Sequence, residues 1–304
     1  MNINTIVNNF LDYEKKLNRS EKTLKSYRIE VNLFIKRYNI STIKDIQILQ
    51  DINFLTNTWL EDMKKDYSAS TVNKKKIPLS VFSNYLVSQG VLAENKIKTI
   101  SNVKVNSKKL ETYTTEEIHN ILDLLDKRYI EENNLLYKNI NLMYKAIFNI
   151  LYNLALRNEE VTRIKINDID WSTGVLYVRC KGGNGEVTNK SKMSKETLSI
   201  VKQWLTVREN IKTNDTELLF VSPMSKKGLT TEAIRKQLKG IKEELGIDGD
   251  KMVHTIRHTK ASELIAKGVD VKKVSMFLHH ANQKTTEKYY CHNTDEILEE
   301  LSEL

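Results

Sequence analysis

Five of the six histidines of this 304-residue chain fall in its last 51 residues: His254, His258, His279, His280 and His292. Three causes could gather them. A metal centre is the first: His254 and His258 stand four apart, and His280, Cys291 and His292 could complete a zinc shell. Against it, the chain holds no Cys-x-x-Cys or His-Glu-x-x-His pattern, and Arg257 would set a fixed cation beside the ion. The second is packing or exposure without chemistry. The third is a phosphate-handling site, because imidazole and guanidinium groups suit the oxygens of a phosphodiester.

The surrounding run, VHTIRHTKASELIAKGVDVKKVSMFLHHANQKTTEKYY (253–290), makes the third possibility specific. It carries His254, Arg257 and His258 as His-x-x-Arg-His, then Gly268-Val269-Asp270, then Leu278-His279-His280. Thr285-Thr286 follows, with Tyr289 nine residues beyond His280. Upstream, LYNLALRNEEVTRIKINDIDWSTG (151–174) holds Arg157 and Glu160, and VRCKGGNGEV holds Lys181. These blocks, in this order, resemble the motifs of the tyrosine recombinase (phage integrase) family. The stretch SASTVNKKKIPLSVFSNYLVSQG resembles that family's core-binding domain, so the likeness spans most of the chain.

The resemblance implies a role for each residue. Tyr289 is the nucleophile, Arg157 and Arg257 clamp the scissile phosphate, and Lys181 is the general acid. His254 acts in proton transfer, and His280 bonds the phosphate or positions Tyr289. His258 and Glu160 support the site, Glu160 by orienting an arginine. The chemistry is coherent. A phosphotyrosyl link is close in energy to the phosphodiester it replaces, so resealing needs no nucleotide cofactor. A tyrosine with a pKa near 10 must lose its proton during attack, and an imidazole can accept it. Paired guanidinium donors meet the charge on the non-bridging oxygens, and a lysine on a hairpin can protonate the departing 5′-oxygen. No cofactor and no metal ion is expected.

Three departures from the family pattern stand out. Its usual Leu-Gly-His step is Leu278-His279-His280 here, which leaves the phosphate ligand between His279 and His280 open. Tyr290 directly follows Tyr289, but the count from His280 and the Thr-Thr pair both select Tyr289. Lys260 replaces an often aromatic or small residue, with no effect that can be foreseen.

Helices must position these groups. Two prolines and ten glycines point to a mainly α protein. The first third reads as four helices: stripes Ile3–Leu11 and Leu24–Tyr38 (behind an N-cap at Ser20), a third through Phe54, Trp59, Leu60 and Met63, and a fourth from Ser70 to Gly90. Pro78 predicts a kink or two shorter helices in the last. Residues 94–112 read as an extended polar linker. Beyond it, Thr114 to Glu117 resembles a capping box, 140–156 a buried central helix, and the segment around KGGNG a β-hairpin. Further helices fit 194–210, 230–245, 254–267, 270–278 and 294–303. The expected architecture is a core-binding domain (1–93), the linker (94–112) and a catalytic domain (113–304) with a small sheet, together a two-domain C-shaped DNA clamp. The tail 294–304 is expected to be a helix exchanged with a neighbouring protomer, packing on its own domain being the alternative.

Net charge is +9, and its distribution is uneven: residues 1–110 hold 19 basic against 10 acidic groups, while the rest hold 29 of each. A basic module beside a neutral one suits a nucleic-acid clamp, with Lys74, Lys75 and Lys76 as DNA-contact candidates. Two cysteines exclude a disulfide scaffold, and the sequence shows neither a membrane span nor a secretion signal, so a cytoplasmic protein is expected. The expected partners are duplex DNA bearing a specific site and copies of the same chain: a homotetramer in synapsis, a monomer or dimer when free. With no arm-binding domain expected ahead of residue 1, the chain looks like a Xer-like or transposon-type recombinase. A type IB topoisomerase and a non-catalytic regulator retaining the fold stay open as alternatives.

Overall fold

The computed structural model describes residues 2–105, 111–179 and 189–279. The chain divides into two compact units, Met1–Lys108 and Lys109–Leu304, each with its own apolar core.

The first unit is built from α1 (Ile3–Lys16), α2 (Glu21–Arg37), α3 (Leu60–Asp66) and α4 (Ala69–Ser88). Side-chain caps start three of them: Asn2, Ser20 and Ser68 each accept from a main-chain N–H of the first turn. The third stripe is not a simple α-helix. A π-helical turn, Phe54–Trp59, leads into α3, which lets Leu55, Trp59 and Met63 all point inward. Phe10 sits at the centre, edge-on to Phe82 at 5.1 Å between ring centroids and beside Tyr27 and Tyr85. Burying each such ring contributes about 2–3 kcal/mol.

Two expectations need correction here. Pro78 does not divide the fourth helix: α4 runs as a single element of 20 residues with Pro78 inside it. Val72 on one side of the proline and Leu79, Phe82 and Leu86 on the other are all buried, and that shared burial outweighs the one hydrogen bond proline removes. Nor is the whole of 94–112 a linker. Residues 96–99 form a 3₁₀ turn whose Ile97, with Ile100, is buried in the first core. Asn73 exchanges two hydrogen bonds with the main chain of Val103, and Asn95 binds Ser80 and Asn84. Ile97 and Ile100, isolated in sequence, are thus buried in space, and Val103 packs partly on the same core.

The second unit contains α5 (Thr115–Glu131), α6 (Leu135–Asn153), α7 (Asn158–Val161), α8 (Lys195–Glu209), α9 (Thr231–Leu245), α10 (Val253–Ala266) and α11 (Val271–Phe277). The capping box at α5 is present: Thr114 accepts from the Glu117 N–H, and Glu117 accepts from the Thr114 N–H. The central helix α6 buries Leu142, Met143, Ala146, Ile147, Phe148, Ile150 and Leu151 against α5, α8 and α10. Strands β1 (Ile169–Asp170), β2 (Val175–Val178) and β3 (Asn189–Lys192) form an antiparallel sheet in the order β1-β2-β3. Val175 pairs with Lys192 and Val178 with Asn189, so β2 and β3 are the arms of the expected hairpin. Gly174 adopts φ 73° at the turn into β2, a left-handed conformation that glycine enters without penalty. No described helix is long and apolar enough to cross a membrane.

Candidate active site

The site begins where α6 ends. Leu154 caps that helix, Ala155 takes a left-handed φ of 49°, and the chain reverses so that Arg157 becomes the first residue ahead of α7. Glu160, three residues on and buried, accepts from both the main-chain N–H and the guanidinium Nη1 of Arg157, each at 2.7 Å. The carboxylate thereby caps a short helix and aims an arginine whose side chain is 38% exposed.

Arg257 enters from α10 and is buried, at 1% exposure. Its Nη1 donates to the Ala155 carbonyl at 2.7 Å and its Nη2 to the Leu278 carbonyl. One guanidinium therefore ties the turn that presents Arg157 to the end of α11. Such a rigid fork suits two fixed carbonyls better than an ammonium could. The helix that carries it is itself held twice. The Tyr113 N–H donates to Thr259 Oγ1 at 2.8 Å, and Tyr113 Oη donates to the Lys251 carbonyl. On the next turn, Tyr152 of α6 donates to Glu263 at 2.9 Å, while Lys260 pairs with Glu263 and lies 4.4 Å from the Tyr152 ring centroid. Lys260, opaque in sequence, is part of the α6–α10 seam.

His254 is exposed on the first turn of α10 and His258 is buried one turn further, their rings edge to face at 4.4 Å. Among the described residues no group of three His, Cys, Asp or Glu could hold a metal ion. His279 follows Leu278 with φ 52°, and its Nε2 lies 3.2 Å from Ser191 Oγ on β3. Burial holds its imidazole below the ordinary pKa; Arg257 and Arg157 push the same way, while Glu160 and the main chain of Lys190 oppose. The Ser191 contact and the Arg257 bond to the adjacent Leu278 carbonyl set His279 between β3 and the Arg257 side of the site. Arg179, at the exit of β2, is locked by a bifurcated pair with the buried Asp168, its Nη2 at 2.6 Å from Oδ1. Neither Ser191 nor the Asp168–Arg179 pair was marked by the sequence. The acidic residue of KINDID, eleven positions before an arginine that precedes Lys181, was the only available hint.

Arg157, Glu160, Arg257 and His279 thus converge. Lys181, His280, Tyr289 and the neighbouring Tyr290, Cys291 and His292, with the tail 294–304, lie outside the described residues. In the first unit the three candidate lysines differ. Lys75 is paired with Glu30 at 2.7 Å and sits over the Tyr67 ring, and Lys76 donates to the Ile100 carbonyl and Asn102. Of the three, only Lys74 is exposed.

Residues 111–296 match the Phage integrase family. The chain belongs to that family. Among its relatives, Tyrosine recombinase XerC of Thermodesulfovibrio yellowstonii is 24% identical over 93% of this chain and 90% of its own. A tyrosine recombinase of Thermosipho africanus is 27% identical over 96% of both chains. The same fold occurs in XerH site-specific recombinase bound to palindromic difH substrate, with a TM-score of 0.76 and 22% identity over 95% of this chain and 82% of that one. It also occurs in a lambda integrase tetramer bound to a Holliday junction, with a TM-score of 0.66 and 16% identity over 95% and 77%. The match to these integrase-family relatives covers most of the chain, and the mainly helical fold of the described residues, with its small sheet, is that of the two solved structures.

Proposed function

We propose that the chain is a site-specific DNA recombinase that cleaves and rejoins duplex DNA through Tyr289. The observation that carries this reading is the convergence of Arg157, Glu160 and Arg257 in a member of the integrase family, with Arg257 binding the turns on both sides. In the proposed reaction Arg157 and Arg257 hold the non-bridging oxygens of the scissile phosphate. The Tyr289 oxygen bonds to phosphorus as its proton passes to His254, and the P–O5′ bond breaks as Lys181 protonates the leaving oxygen. The result is a 3′-phosphotyrosyl link and a free 5′-hydroxyl, whose attack reverses the step on an exchanged strand. His280 bonds the phosphate or positions Tyr289, and His258 supports His254 through their ring contact. Lys74 contacts DNA.

The tetramer on a Holliday junction formed by a lambda integrase supports a homotetrameric synapse that passes through such a junction. The bacterial relatives support a DNA-acting protein of a bacterial cytoplasm, working on a mobile element or a replicon. In this reading residues 2–105 are the core-binding domain and 111–304 the catalytic domain.

The test is covalent trapping in cells carrying the native flanking DNA, comparing wild type with Tyr289→Phe and sequencing DNA that stays attached in denaturant. Adducts at a few discrete sequences in wild type only are expected. Scattered adducts favour a topoisomerase, adducts surviving the substitution move the nucleophile to Tyr290, and none in either favours a non-catalytic regulator.

A further inference from the structure

The helix α7 is a single turn, Asn158–Val161, with Arg157 at its head. A helix that short has too few hydrogen bonds to hold its own place, so its neighbours must fix it. Glu160 fastens it from within, and Arg257 binds the Ala155 carbonyl just ahead of it. Asn158 supplies a third tie: its Nδ2 donates to the Thr231 carbonyl at 3.0 Å, across 73 positions of sequence. Thr231 opens α9, a helix of 15 residues whose Ile234, Leu238 and Ile241 are buried in the second core. The one-turn helix beside Arg157 is therefore fastened to the first turn of a long, well-anchored one. The other end of the amide, Oδ1, is buried without a hydrogen-bond partner among the described residues. An acceptor left in that state is a cost that packing does not offset. A branched apolar side chain of the same shape would avoid it, so the bond to α9 is what accounts for an amide here.

We propose that Asn158 is a positioning residue: by pinning the head of α7 to α9, it sets the direction from which Arg157 meets the scissile phosphate. The proposal rests on the recombinase reading and concerns a residue that the motif resemblance did not single out. Acting through Arg157, Asn158 matters only while a negative charge on the phosphate must be met by a guanidinium.

That condition supplies the experiment. Single-turnover cleavage is measured on two nicked duplexes carrying the sequence recovered from wild-type adducts, one with the ordinary scissile phosphodiester and one with a neutral methylphosphonate in its place. The methyl group removes the charge that the guanidinium meets. Asn158→Leu keeps the shape of the side chain and discards both of its polar ends, so its melting temperature should equal or exceed that of wild type. It should nevertheless slow cleavage of the phosphodiester about ten- to a hundredfold, the scale of loss that a displacement of about 1 Å brings. On the methylphosphonate it should cut within about threefold of wild type, the pattern expected of Arg157→Ala. Asn158→Ala guards against a clash made by the leucine and should show the same contrast between substrates. Equal slowing on both substrates, the mark of an ordinary structural role, overturns the proposal, as does no slowing on either. Failure of wild type to cleave the phosphodiester overturns the recombinase reading instead.

Discussion

Arg157 and Arg257 carry the same charge in different surroundings, and their substitutions should part accordingly. Arg157 is partly exposed and pairs with the Glu160 carboxylate. Arg257 is buried and closes two main-chain carbonyls that the sequence places 123 residues apart, Ala155 and Leu278. Lysine at 157 keeps a cation near Glu160, so Arg157→Lys should cost under about 1 kcal/mol of stability while slowing cleavage through the lost bidentate grip. Lysine at 257 cannot reach both carbonyls with one ammonium. Arg257→Lys should lower stability by about 2–4 kcal/mol and abolish cleavage, since it strands buried polar groups. Urea unfolding beside single-turnover cleavage separates the two outcomes.

Between elements, the capping box of α5 does more than start a helix. Glu117 also accepts from Lys251, fastening the N-terminus of α5 to the segment ahead of α10. Burial alone would raise the Glu117 pKa, but the Lys251 ammonium and the Thr114 N–H outweigh it and hold the carboxyl below its ordinary 4.5. A carboxyl lowered by folding adds stability above that ordinary value and gives it up as pH falls through the lowered one. The stability gap between wild type and Glu117→Gln should therefore be full at pH 7 and close as the solution is acidified below about 4.5, measured by thermal melts in matched ionic strength. This box was legible from Thr114 and Glu117 alone, and α1 and α2 from their apolar stripes, because local caps and a 3.6-residue stripe agree there. The unbroken α4 was not, since the local rule for Pro78 yields to burial that a sequence does not display. Of the candidate site, Arg157, Glu160 and Arg257 were named from the resemblance to the family's motifs. The carbonyls that Arg257 ties and the Ser191 contact of His279 could not, being made by residues far apart in the chain.

Across the whole molecule, the basic excess lies in residues 1–110, yet part of it is spent internally. Lys75 neutralises Glu30, and Lys76 is consumed by Ile100 and Asn102, with burial lowering its pKa. Charge counting therefore overstates what reaches a phosphate backbone. In DNA-binding isotherms from low to high salt, Lys74→Ala should reduce the slope of log affinity against log salt by about one. Lys75→Ala should leave that slope alone and lower the melting temperature, because it strands Glu30.

The packing of residues 94–103 on the first core bears on how such proteins can be cut and exchanged. Ile97 and Ile100 fill sockets between helices that precede them in the chain. A fragment ending at 93 exposes those sockets and should aggregate on expression, whereas 1–105 should stay monomeric in size-exclusion chromatography. The natural unit of transplantation between recombinases is then the longer piece. A chimera joined at 93 inherits ten residues shaped for another protein's core, and its failure would say nothing about DNA recognition.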